Sequence, residues 1–192
     1  ATVTELERNR VAIVFNVVEG ETSKIREINI IGNQAFSEKK LKGLMQLGTP
    51  NWISWFTKND QYSKQKLSAD LEILRSFYLD AGYLEFSIDS TQVSITPDKE
   101  HIYITINLSE GAKYTVSDIK VSGPENILSH VETRKLVKVQ AGDVFSRKEL
   151  TDSSKKIGDR LGEDGYAFAN VNAVPDVNKE KHQVGFTFVV DP

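Results

Sequence analysis

Two stretches of this chain repeat one another, and a repeat at a fixed offset constrains the architecture more tightly than any local propensity. Ile28-Asn29-Ile30-Ile31-Gly32 lines up with Ile119-Lys120-Val121-Ser122-Gly123 at an offset of 91 residues, which is also the offset between Gly20 and Gly111. Gly82-Tyr83 matches Gly165-Tyr166 at an offset of 83. The second copy is therefore eight residues shorter between these landmarks, and residues 48–62 are the natural place for the extra length. Three segments alternate apolar and polar residues and then turn. They are Val11, Ile13, Phe15 and Val17 before Glu19-Gly20; Ile102, Ile104, Ile106 and Leu108 before Glu110-Gly111; and Val184, Phe186, Phe188 and Val190 before Asp191-Pro192. Each reads as a period-two strand with one buried face. The chain thus divides into residues 1–20, the closing strand of a preceding unit, and two full units, 21–110 and 111–192, each near the lower end of domain size.

Within the first unit, residues 23–32 read as a strand that stops at Gly32-Asn33. Ser37 is a plausible helix N-cap, although Lys40 stands where a capping box would have Glu. Leu41, Leu44, Met45 and Leu47 form an apolar stripe, and Gly48 ends that helix. Ser63 caps a second helix, in which Leu67, Leu71, Leu74 and Tyr78 recur at helical spacing before Gly82. Residues 83–95 and 101–108 form two strands around the turn Pro97-Asp98-Lys99. The second unit repeats the plan. Ser129 caps its first helix, and Leu150, Ile157 and Leu161 take the places of Leu67, Leu74 and Tyr78, while Ser154 replaces Leu71. Gly158 and Gly162 inside that helix cost up to about 1 kcal/mol each relative to Ala, so it should fray more readily. The order strand-helix-helix-strand-strand predicts an α+β fold. Each unit would be a three-stranded mixed sheet with two helices on one face, its last two strands antiparallel and its first parallel to the third.

Composition removes whole classes of function. Hydrophobic residues are 39% and charged residues 27% of the chain, enough for a core and against disorder. Net charge is -3 and no basic block marks a nucleic-acid footprint. Cysteine is absent, so no disulfide or thiolate chemistry operates. No apolar run approaches the roughly 18 residues of a membrane helix, and no signal peptide opens the sequence. The abrupt start at Ala1 and the stop after a strand-like run read as those of an excised fragment. His101, His130 and His182 share no ligand spacing with one another or with carboxylates, and no nucleophile elbow, phosphate loop or metal-binding helix motif occurs. Asp70 and Glu72, two apart on a helix, read as solvated surface. Two helices on a small sheet could mimic a KH module, but that needs a Gly-X-X-Gly loop in a basic groove. This chain offers Gly48-Thr49-Pro50-Asn51 and Val139-Gln140-Ala141-Gly142 instead.

The succession strand-Gly-Asn, helix, long helix ending Tyr78-Leu79-Asp80-Ala81-Gly82-Tyr83, hairpin and Glu-Gly resembles a POTRA (polypeptide-transport-associated) domain. The run YSKQKLSADLEILRSFYLDAGYLEFSIDSTQVSITPDK, residues 62–99, resembles the third POTRA domain of Omp85-type outer-membrane assembly factors. Residues 114–190 are similar to the fourth, and residues 8–20 to the last strand of the second. The resemblance implies a periplasmic array of five such domains followed by a C-terminal membrane β-barrel, which lies outside this chain. It implies contact with unfolded outer-membrane β-barrel proteins and with accessory lipoproteins, one of them propeller-shaped and docked near the second and third domains. It implies no catalysis and no cofactor. A two-partner secretion pore could carry the same module.

Candidate partner-binding residues follow. The strand over 86–95 is expected at a sheet edge, where unpaired backbone groups can accept an added strand. Ile88, Ser90, Thr91, Val93 and Ile95 would meet it, with Ser87, Asp89, Thr91 and Ser94 forming a polar face. Trp52, Trp55 and Phe56 cluster in the insertion of the first unit, where they form a recognition patch, roof the helix pair or pack at the junction with the preceding domain. The helix face around Leu44 and Leu47 is a third candidate.

Overall fold

The computed structural model describes residues 2–7, 10–15, 23–50 and 60–191. A hairpin comes first: β1 (Thr2–Leu6) pairs antiparallel with β2 (Arg10–Val14). Val11 and Ile13 of β2 are exposed, so among the described residues nothing covers the face that its alternation anticipates as buried. Among the described residues the first unit runs β3 (Lys24–Ile31), α1 (Glu38–Lys42), α2 (Lys64–Asp80), β4 (Ser87–Ile95) and β5 (His101–Ser109). The second runs β6 (Thr115–Ser122), α3 (His130–Leu136), α4 (Arg147–Glu163), β7 (Asn170–Asn178) and β8 (Gln183–Asp191). The sheets are ordered β3-β5-β4 and β6-β8-β7. In each the last strand is central, parallel to the first and antiparallel to the second. Each unit is therefore the α+β, β-α-α-β-β mixed sheet that the repeat predicts.

Burial explains why the strands alternate. Ile102, Ile104, Ile106 and Leu108 of β5 face inward with Ile25, Ile28 and Ile30 of β3, and Leu67, Leu74 and Tyr78 of α2 close over them. Val184, Phe186, Phe188 and Val190 do the same beneath Leu150, Ile157 and Leu161. Each such side chain contributes about 1.5–3 kcal/mol when fully buried, so a one-residue register slip is costly. Serine N-caps start each of the four helices among the described residues: Ser37, Ser63, Ser129 and Ser146 accept from the amides of Lys40, Lys66, Glu132 and Glu149. The two caps are 26 residues apart in the first unit (Ser37, Ser63) and 17 in the second (Ser129, Ser146), and residues 51–59, outside the described residues, fall in that longer stretch. Gly32 has φ +99°, and a Cβ there would overlap the Leu108 carbonyl oxygen; Gly123 abuts Val190 in the same way. The glycine after the first strand of each unit is thus a steric requirement.

Three expectations need correction. The helix α1 stops at Gly43, so Leu44 and Leu47 lie beyond it. Asp70 is fully buried rather than solvated: its two carboxylate oxygens accept from the Gln46 and Leu47 amides at 2.7 and 2.9 Å. Those amides follow a helix too short to satisfy them, and a buried donor must find an acceptor. Ser153, one repeat later, is buried and accepts from the Lys138 amide at 3.4 Å. Finally, β4 begins at Ser87, because Tyr83–Phe86 turns, with the Phe86 amide donating to the Tyr83 carbonyl at 3.2 Å.

The two units are joined tightly. The Tyr114 amide donates to the Gly82 carbonyl at 2.8 Å, and Asp80 Oδ1 accepts from the Lys148 amide in the first turn of α4 at 2.8 Å. Arg147 donates to Ser76 Oγ at 2.7 Å, and Lys179 pairs with Glu85 at 2.7 Å. Leu79 and Leu84 of the first unit pack on the second core.

Candidate partner-binding edge

The strand β4 has β5 on one side and no partner strand on the other among the described residues. What positions it is aromatic: Phe86, just before it, stacks on Tyr78 with ring centroids 4.2 Å apart. The Tyr78 hydroxyl donates to Glu110 at 2.8 Å, and the same carboxylate accepts from the Gln34 and Ala35 amides. Burial, reinforced by Glu110, pushes the Tyr78 hydroxyl well above the usual phenol range, so it stays a donor. The Glu of the Glu110-Gly111 turn therefore locks the end of β5 to the turn after β3.

A bulge between Ile88 and Ser90 resets the alternation of β4. Asp89 fastens it, accepting from Ser87 Oγ at 2.7 Å and Ser109 Oγ at 2.6 Å; Ser109, then Ser87, holds its carboxyl below the usual range. Because of the bulge, Thr91 does not join a polar face. Ile88, Thr91, Val93 and Ile95 stand opposite Leu108, Ile106, Ile104 and Ile102, the inward-facing row of β5. Ile88 packs on the core, whereas Val93 and Ile95 are 40% and 53% exposed. They line a shallow apolar pocket with Ser23, Tyr62 and Ile102. Ser90 is on the other face, accepting from Asn107 Nδ2 at 2.8 Å. Five of the candidate residues are thus brought to one edge. Leu47 is buried at 2% exposure and cannot meet a partner, because its amide is drawn in by Asp70. Leu44 is half-buried, and Trp52, Trp55 and Phe56 lie outside the described residues.

The two units differ at this edge. The strand β7 carries Pro175 opposite Phe186, and the residue opposite the equivalent Ile104 in β4 is Val93. Proline is tolerated in a sheet where its nitrogen faces outward. Val93 therefore has an outward N–H that Pro175 lacks: the first unit keeps the edge donor that the second has lost. Tyr62 is a site residue that strand patterning alone did not single out, and Ile102 was legible only as part of the buried face of its strand.

The POTRA family profile, described as surface antigen variable number repeat, matches residues 23–111 and 114–192. The chain belongs to the POTRA family. Its POTRA units are similar over 190 residues to the outer membrane protein assembly factor BamA of Neisseria meningitidis serogroup B, with 32% identity covering 99% of this chain and 24% of that protein. Similarity to the BamA of Buchnera aphidicola is 32% over 186 residues, covering 95% of this chain and 30% of that one. The chain thus spans roughly a quarter to a third of these relatives. Among solved structures, Haemophilus influenzae BamA POTRA3-5 superposes with a TM-score of 0.75 at 27% identity, covering 89% of this chain and 66% of that one. The BamA of Haemophilus ducreyi lacking POTRA domains 1-3 shares the fold, with a TM-score of 0.65 at 18% identity over 88% of this chain and 29% of that one.

Proposed function

We propose that this pair of POTRA units is a periplasmic scaffold of an outer-membrane protein assembly factor and holds extended segments of unfolded outer-membrane proteins by strand addition to β4. It works without catalysis or cofactor. The units correspond to the third and fourth of the array, and the hairpin β1–β2 to the end of the one before. The observation that carries the reading is the β4 edge, unpaired among the described residues, where outward backbone groups stand beside the exposed Val93 and Ile95. Backbone pairing grips without regard to sequence, and the apolar pocket rewards the alternating side chains of barrel strands. Accessory lipoproteins use the same strand addition.

Replacing Val93 with Pro tests this without destroying the fold, because Pro175 occupies the matching position in the second unit. The variant should keep the far-ultraviolet circular dichroism of the parent and bind a barrel-strand peptide about tenfold more weakly. A folded variant with parental affinity would move the site to the segment 52–56 or the surface around Leu44.

A further inference from the structure

The first strand of each sheet also has an outer edge, and the two units treat it differently. Its beginning is covered in both: the Ile25 amide donates to the Asp60 carbonyl at 2.7 Å and the Val116 amide to the Asp143 carbonyl at 2.8 Å. Further along β3, the Ile30 amide donates to Glu38 Oε1 at 3.1 Å, and the same oxygen takes Lys42 Nζ at 2.8 Å. A carboxylate from α1 thus seals that edge. In the second unit the counterparts are Val121 for Ile30, Arg134 for Lys42 and His130 for Glu38, counted from the paired strands and from the serine caps Ser37 and Ser129. The donors are retained and the carboxylate is gone.

Val121 pairs with Phe188 as Ile30 pairs with Ile106, so its amide points outward in the same register. The Ile119 amide, two residues earlier on that side, is met by Asp118 Oδ1 at 2.8 Å. His130 turns away, its Nε2 at 3.1 Å from the Gly123 carbonyl and its Nδ1 at 3.5 Å from Glu125. What remains between β6 and α3 is a groove with an apolar floor, including Val131 at 68% exposure, and a cationic rim of Lys120, Arg134 and Lys135. Arg134 spends one nitrogen on the Val137 carbonyl at 3.3 Å, and Lys120 lies 3.4 Å from Asp118.

We infer that the β6–α3 groove is a second docking site, which takes an extended peptide whose acidic side chain supplies the carboxylate that Glu38 supplies within the first unit. The partner's carboxylate accepts from the Val121 amide and from Arg134, and its neighbouring apolar side chains lie on Val131. Charge complementarity and the internal precedent in the first unit both select a carboxylate. The site is separate from the β4 edge and does not depend on it.

A fluorescent peptide of alternating Val and Glu, and its Val and Gln counterpart, can be titrated into the 192-residue chain with amide chemical shifts as readout. The Glu peptide should shift the Val121 amide, and the Gln peptide should bind about tenfold more weakly. His130→Glu installs the closing carboxylate; it should remain folded and lose the Glu peptide, whereas Val93→Pro should not. Equal binding by the Gln peptide, or undiminished binding by His130→Glu, would overturn the proposal. So would shifts confined to β4, or binding of vesicles of anionic phospholipid in place of the peptide.

Discussion

Asp70 shows how a residue's role depends on what it must satisfy. On a helical wheel it belongs with Leu67 and Leu74, but as one acid in a charged helix it reads as surface. Its partners are amides 23 and 24 residues earlier, and local patterning does not reveal them. The one available signal was positional: the equivalent Ser153 is also polar on an apolar stripe. Removing a buried acceptor strands its donors, so Asp70→Ala should destabilise the first unit by about 1–3 kcal/mol, read from urea unfolding. Glu110 is comparable: the Glu-Gly turn was visible in the sequence, but the three donors that the carboxylate gathers were not. Glu110→Ala should cost about 2 kcal/mol in the same measurement, and Tyr78→Phe, which removes one of the bonds, less.

Elements were the most legible level. The helix starts at Ser37, Ser63 and Ser129, the strand order and the central position of the last strand follow from serine caps, period-two alternation and the repeat, whereas the cap Ser146 was not singled out. The bulge at Asp89 did not, because its cause is a bond across to Ser109, and it moved Thr91 from one face to the other. Nor did the shortness of α1, where an apolar series continues after the helix has ended. The helix α4 accepts Gly158 in its interior, and a Cβ there would meet open space. Gly158→Ala should therefore stabilise the second unit by about 0.5–1 kcal/mol, seen as a raised thermal midpoint, while a loss would show that the glycine is required by packing.

At the scale of the whole molecule the units are two cores with a shared boundary. The contacts of Asp80, Gly82, Leu84 and Glu85 with the second unit leave little freedom at the short connection around Gly111. Lys179, 2.7 Å away, holds the Glu85 carboxyl below its usual range. A depressed carboxyl stabilises the folded state above its unfolded pKa and loses that contribution as pH falls through the folded value. Glu85→Gln should therefore lower the thermal midpoint at neutral pH, and the difference from the parent should shrink as the pH falls into the acid range and the carboxyl of the parent is protonated. The central claim is that β4 receives a partner strand, and hydrogen exchange across Ser87–Ile95 tests it most directly. On adding a barrel-strand segment, the outward amides of β4, that of Val93 among them, should become protected in the parent and not in Thr91→Pro. Bound segment with no added protection in β4 would contradict the account.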